Sequence, residues 1–212
     1  MSYGDPDGER RAVAEAIGLA EPGLYDKFIV KGRGALAAVR AAGLEGRPGR
    51  VTPAPPGGVN VWAIADDEVL LVAVVNTPGG PSIEAAGIGD LAGGIGAAGL
   101  AAIDVSSGWT VLRLVGPRVR SLLEELVAED LSSDAVPDLG IAQVPMAGCR
   151  VILSRGDLGE TPGFFLLVGR DEAEYLWVYI GHLRRKIEQD PNRPQLIHTK
   201  PGFGYVLEVA VG

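Results

Sequence analysis

Apolar residues recur along the chain with two different periods, and each change of period marks a new element. Over residues 9–19, Ala12, Val13, Ala16 and Ile17 fall on one helical face, and Gly18 and Pro22 stop the run. Residues 25–30 then read as a strand and 34–42 as a short Ala-rich helix. The stretch RPGRVTPAPPGG, from Arg47, is dense in turn formers and reads as loop. From Val59, VNVWAIADDEVLLVAVV is two β-rich runs split by Asp66, Asp67 and Glu68, the pattern of a hairpin. A Gly/Ala-rich segment leads into 104–115, read as one long strand or a tight strand pair. Residues 119–131 predict an amphipathic helix with Leu122, Leu123, Leu126 and Val127 facing inward. Strands are expected at 141–144, 150–154 and 163–168.

The last part of the chain has its own pattern. Asp171, Glu172 and Glu174 suit the first turn of a helix, where the backbone dipole favours negative charge. Leu176, Ile180, Leu183 and Ile187 follow at helical spacing and form one apolar stripe, which Pro191 ends. PQLIHT then reads as a strand, Lys200-Pro201-Gly202 as a turn and FGYVLEVAV as the returning strand. The expectation is a helix followed by a two-stranded wing.

Two stretches echo each other: YDKFIVKGRGALAAV and IDVSSGWTVLRLVGPRVRSLL both run Asp, strand, Gly, helix. Such a repeat implies two similar half-units. Between them, residues 94–99 fit G-x-G-x-x-G. A dinucleotide fingerprint needs a buried strand before it, a helix after it and an acidic residue at a later strand end. None of these is present, so the segment reads as a flexible linker.

Hydrophobic residues make up 47% of the 212 and charged residues 22%, enough to bury a core. Cys149 is the one cysteine, which excludes an internal disulfide and a cysteine-based zinc cage, and no metal ligand set is expected. No apolar run approaches the roughly 18 residues of a membrane span. No apolar segment follows the charges of MSYGDPDGERR, so no signal peptide is expected. These features predict a soluble cytoplasmic protein with no membrane partner. The net charge of −8 is unevenly spread. Residues 181–212 hold five basic and three acidic groups, a balance of +2, which leaves −10 for residues 1–180. Phosphate binding needs cations that displace condensed counterions, so a nucleic acid would have to meet the tail.

Over residues 9–178, DVSSGWTVLRLVGP and SRGDLGETPGFFLLVGRDEAEYLW carry a resemblance to the folate-binding aminomethyltransferases, above all to the gamma subunit of heterotetrameric sarcosine oxidase. The resemblance implies a tetrahydrofolate-type ligand in a central channel. It implies that Glu160, in Gly159-Glu160-Thr161-Pro162-Gly163, grips the pterin. A carboxylate can accept two parallel N–H bonds from a 2-aminopyrimidinone edge; the alternative reading is a solvated Glu in a turn. The family's catalytic Asp would stand at 56–60, where the chain reads Pro56-Gly57-Gly58-Val59-Asn60 and has no carboxylate. Asp66 and Asp67 come one strand later, at a hairpin tip where acidic residues commonly just mark a turn. No catalytic residue is therefore assigned, and the chain is not expected to turn over substrate alone.

The tail, through YIGHLRRKIEQDP and LIHTKPGFGYVLE, resembles the recognition helix and wing of the OmpR/PhoB-type winged-helix domain of response regulators. The resemblance implies transcription regulation within phosphorelays, with DNA as partner through residues 178–205. Carried over by position, Tyr179, His182, Arg184, Arg185 and Lys186 would face the duplex from the helix, and Thr199 and Lys200 from the wing. Pro201 stands where many members carry Arg. Nothing in residues 100–170 reads as the sheet and two helices that precede the recognition helix in that family, and no stretch reads as a receiver domain. The fold class expected is α+β: two folate-binding half-units over residues 1–170, then a partial winged helix over 171–212. The function expected is a fusion of a folate-binding, non-catalytic body with a DNA-contacting tail. The alternative is a non-catalytic subunit of a sarcosine-oxidase-like complex whose tail is structural; an active aminomethyltransferase ranks last.

Overall fold

The computed structural model describes residues 17–20, 26–54, 58–73, 88–97, 99–146, 148–170, 197–200 and 204–207. In chain order the strands are β1 (Ile17–Ala20), β2 (Lys27–Lys31), β3 (Arg50–Thr52), β4 (Val59–Ala65), β5 (Glu68–Ala73), β6 (Ala101–Asp104) and β7 (Trp109–Val115). They continue with β8 (Ile141–Met146), β9 (Cys149–Arg155), β10 (Gly163–Gly169), β11 (Ile197–Lys200) and β12 (Gly204–Leu207). The helices among the described residues are short: α1 (Ala35–Ala41), α2 (Ile88–Ala97) and α3 (Val119–Glu124). The fold is thus mostly β, more so than the α+β expectation.

The chain divides into two compact units. One comprises residues 23–109 and 139–142 and carries a five-stranded sheet in the order β3-β4-β5-β2-β6. Its neighbours all run antiparallel, and the two-residue tip Asp66-Asp67 closes the β4–β5 hairpin. Val30, Leu36, Val39, Val61, Val69, Leu71 and Ile95 form its core. The tip also starts α1: the Asp67 carbonyl accepts the Gly32 N–H at 3.0 Å, and the Asp66 carbonyl accepts the Leu36 N–H at 3.1 Å. The second bond satisfies an amide donor that the first helical turn leaves unpaired, and the first ties the entry to the helix to the hairpin tip.

The other unit comprises residues 1–22, 110–138 and 143–212, and draws its strands into a seven-stranded sheet, ordered β11-β12-β1-β7-β10-β9-β8. Val119, Leu123, Leu131, Val151, Leu153 and Leu167 are fully buried there. The echo read in the sequence has a structural counterpart in each unit. β2 is followed by Gly32 at φ 126° and α1, and β7 by Gly116 at φ 151° and α3.

Several expectations are corrected. Residues 17–19 were expected to end a helix; they lie in β1, because both edges of that strand find partners, β12 and β7. The start of that expected helix, residues 9–16, lies outside the described residues. Arg50–Thr52 forms a strand inside the expected loop, because its register with Ala63, Trp62 and Val61 avoids the flanking prolines. The helix expected to 131 stops at Glu124, and Leu122 and Leu126 are only half-buried. Beyond it, the Asp130 carboxylate accepts the Ser132 N–H at 2.8 Å and so makes a local turn that competes with helix. The glycine-rich segment is helical to Ala97, because Ala92 and Ile95 recur at helical spacing and both are buried. The span 104–115 is neither one strand nor a hairpin, since β6 and β7 belong to different sheets.

Leu71 is fully buried, whereas Ile103 on the edge strand β6 is 51% exposed. Leu71→Ala is expected to cost about 2–5 kcal/mol through lost burial and the cavity left behind. Ile103→Ala should stay within about 0.5 kcal/mol. Urea unfolding of the two variants checks the assignment of core and surface.

Candidate functional site: the Glu160 hairpin and the tail

The two-residue tip Gly159-Glu160 joins Leu158 and Thr161, which exchange backbone bonds: Leu158 N–H to the Thr161 carbonyl at 2.8 Å and Thr161 N–H to the Leu158 carbonyl at 3.1 Å. Gly159 has φ 61°, a left-handed value that a hairpin tip requires and glycine adopts without strain. Glu160 is exposed on this tip, and among the described residues its carboxylate makes no hydrogen bond or ion pair. That leaves both oxygens available as acceptors.

The base of the hairpin is held more firmly than its tip. Gly156 and Gly163 approach so closely that a Cβ on Gly163 would lie 2.5 Å from the Gly156 carbonyl oxygen, and the Gly156 N–H donates to the Gly163 carbonyl at 2.8 Å. Arg155 grips Asp157 through Nε to Oδ1 at 3.0 Å and Nη2 to Oδ2 at 2.8 Å. Asp157 Oδ1 also accepts the Gly163 N–H at 3.1 Å, and the Asp157 N–H donates to Asp138 Oδ1 at 3.0 Å. Burial would raise the Asp157 pKa, but the bonds from Arg155 and the Gly163 N–H, with the charges of Arg155 and Arg120, outweigh it and hold the carboxyl below the ordinary carboxylate value. Next to this base, the Arg113 guanidinium lies 4.8 Å from the centre of the Phe165 ring. Reading the sequence missed the roles of Arg155 and Asp157, although both lie in the stretch that drew attention to Glu160. Asp138 stands 19 positions away, and no local pattern links it to them.

Other singled-out positions serve the backbone. Asp66 and Asp67 are exposed at the β4–β5 tip, and their carbonyls brace α1. Asn60 Oδ1 accepts the Ala54 N–H at 2.7 Å and so closes the 54–60 loop, of which residues 55–57 lie outside the described residues. The Asp104-Val105-Ser106 motif is a structural tie: Asp104 Oδ1 accepts the Ser106 N–H at 2.8 Å, and Ser106 Oγ accepts the N–H of the buried Lys27 at 2.9 Å. Among the described residues no cluster of His, Cys, Asp and Glu could hold a metal, and no helix is long and apolar enough to cross a membrane.

In the tail, Tyr179, His182, Arg184, Arg185 and Lys186 lie outside the described residues. Thr199 and Lys200 are in β11, opposite Tyr205 and Gly204 of β12, so the expected pair of wing strands is present.

Residues 168–207 match the family described as transcriptional regulatory protein, C terminal. Over 35 residues the chain is 51% identical to the KDP operon transcriptional regulatory protein KdpE of Escherichia coli (strain K12), a stretch that is 16% of each protein. Over 40 residues it is 48% identical to the DNA-binding dual master transcriptional regulator RpaA of Synechocystis sp., covering 19% of this chain and 17% of that protein. The chain therefore spans about a sixth of the length of these curated relatives. Among solved structures it superposes on a chain of the heterotetrameric sarcosine oxidase from Corynebacterium sp. U-96, with a TM-score of 0.61 and 23% identity, over 79% of this chain and 85% of that one. It also superposes on the glycine cleavage system aminomethyltransferase T from Bartonella henselae, with a TM-score of 0.55 and 15% identity, over 83% of this chain and 49% of that one. The chain is a composite. Its body has the fold of the sarcosine oxidase and aminomethyltransferase structures, and residues 168–207 of its tail are similar to the C-terminal part of transcriptional regulatory proteins.

In this composite the Glu160 hairpin belongs to the body, and the Arg155–Asp157 pair sets its base. The two side chains are only 12% and 19% exposed. Asp157→Ala should therefore destabilise the protein by roughly 2–3 kcal/mol at neutral pH, since it leaves a mostly buried guanidinium without its partner. A depressed folded-state pKa contributes stability that is present above the unfolded value near 4 and is lost as pH falls through the lower folded one. The gap between parent and variant should accordingly narrow below about pH 4. Urea midpoints at neutral and acid pH check this; an unchanged gap would show that the pair's charge contributes nothing.

Proposed function

We propose that the protein binds a tetrahydrofolate-type ligand through its body without catalysing a reaction alone, and contacts DNA through its tail in a transcription-regulatory role. The observation that carries this reading is the composite itself: one chain joins a body with the fold of an aminomethyltransferase to a segment matching DNA-binding regulators. An exposed carboxylate on a rigidly based hairpin suits a ligand edge with two parallel N–H donors, which supports Glu160 as the folate contact. The stretch Pro56–Asn60, which holds no carboxylate, and the exposed tip position of Asp66 and Asp67 support a non-catalytic body. Tyr179, His182, Arg184, Arg185, Lys186, Thr199 and Lys200 form the DNA-contacting set. A DNA partner implies a cytoplasmic location, and the likeness of the tail to response regulators supports a role within a phosphorelay. A second reading is a non-catalytic subunit of an oxidase complex, favoured by the fold shared with a chain of a heterotetrameric assembly.

Tetrahydrofolate is expected to raise the melting temperature, and Glu160→Ala to remove most of that shift, since charge-assisted hydrogen bonds contribute about 1.5–3 kcal/mol each. Thermal scans with and without ligand decide it. No shift in the parent rejects the ligand, and a shift unchanged in the variant rejects only the residue. Folate-dependent demethylation by the purified chain would contradict the non-catalytic assignment.

DNA affinity should fall with salt along a slope of about −3 to −4 in log–log form, from three or four phosphate contacts at roughly 0.9 each. Arg184→Ala and Lys200→Ala should each flatten it by about one unit. Fluorescence anisotropy across a salt series measures this, and a slope insensitive to both variants would remove the tail from the interface.

A further inference from the structure

The tail's hairpin, β11 and β12, does not stand alone. β12 pairs antiparallel with β1, Ile17 opposite Leu207 and Gly18 opposite Val206. The same short strand pairs on its other edge with β7, Gly18 opposite Val115, Leu19 opposite Leu114 and Ala20 opposite Arg113. Gly18 is thus partnered on both sides, and Ile17 is only 2% exposed. β11, with Thr199 and Lys200, becomes the outermost strand of the seven-stranded sheet.

We infer that β1, from the opposite end of the chain, is the seat that holds the tail's hairpin in position to meet DNA, so that the DNA-contacting surface is built jointly from body and tail. This rests on the DNA reading of the tail proposed above. An isolated two-stranded hairpin is marginal in water, whereas a hairpin added to an existing sheet is held in register by a continuous backbone ladder. A seated hairpin meets the duplex already ordered, and an unseated one loses that ordering entropy on binding. The occupant suited to β11 is a phosphate backbone. An edge strand leaves backbone N–H groups unpaired in the sheet, phosphate oxygens accept from such groups as well as from lysine, and the segment from residue 181 onward carries five basic against three acidic residues.

A cysteine pair tests the seat in the full chain. Gly18→Cys and Val206→Cys, with Cys149→Ser to remove the native thiol, are register partners on adjacent antiparallel strands, where Cα atoms stand about 4.5–5.5 Å apart, a separation that a disulfide can span. Gly18→Cys with Thr199→Cys, one strand further out, is the control. The first pair should oxidise readily and the control should not. A fluorescent random-sequence duplex at low salt should bind the oxidised first pair at least as tightly as the reduced form. Failure of the bridge between 18 and 206 to form overturns the inference. So does a bridge that weakens duplex binding by about tenfold or more, for the hairpin would then have to leave β1 to bind. A bridge that forms in a chain that binds no duplex in either redox state overturns the DNA reading of the tail, leaves β1 as a structural seat and removes the joint surface.

Discussion

The structure turns on a four-residue strand whose two edges are both taken. β1 gives one edge to β7, and through it to β10, β9 and β8, and the other to β12. Backbone pairing of this kind does not depend on side-chain identity, so it can join segments of unrelated ancestry when their strands meet in register. Here it makes the hairpin of a regulator-type tail continuous with the sheet of an aminomethyltransferase-type body. Residues from both ends of the chain consequently fall into one compact unit.

The Glu160 hairpin shows a division of labour between charge and backbone. Its base is held by the Arg155–Asp157 pair, by Asp138 and by two glycines whose close approach leaves no room for a Cβ. Its tip carries a carboxylate that the described structure leaves unengaged. Rigid support beneath an uncommitted polar group is the arrangement expected of a binding contact, because the support removes the ordering cost that binding would otherwise incur. The β4–β5 tip is built the other way. Its acidic side chains are exposed, but its carbonyls are committed to the start of α1, which suits a structural turn.

The acidic character of the body bears on both readings. A balance of −10 over residues 1–180 confines phosphate contact to the tail, while the folate reading needs only one correctly placed carboxylate. The two proposed functions therefore draw on different residues: Glu160, on the tip between β9 and β10, and the tail set, of which Thr199 and Lys200 lie in β11. The alternative, a structural subunit of a larger oxidase, would use the fold and leave the tail's cations as a solvated face.

Much of this protein was legible from the order of its residues. The β4–β5 hairpin, α1, β8 to β10 and the paired strands of the tail follow from alternation, β-branched runs and Gly or Pro punctuation, all of which act over a few neighbouring residues. The two family likenesses followed from short motifs for the same reason. What the sequence could not decide were matters of distant partners. Residues 17–19 fit a helical pattern and became a strand because β7 and β12 were there to pair with them. Residues 50–52 sat among prolines and became a strand because β4 offered a register. Glycines 93, 94 and 96 entered a helix because Ala92 and Ile95 found a core. Asp138 joined the base of the Glu160 hairpin across a gap of 19 residues. In each case local preference amounted to a fraction of a kcal/mol per residue up to about 1, while sheet pairing and burial contribute more in sum, and only the folded chain brings those partners together.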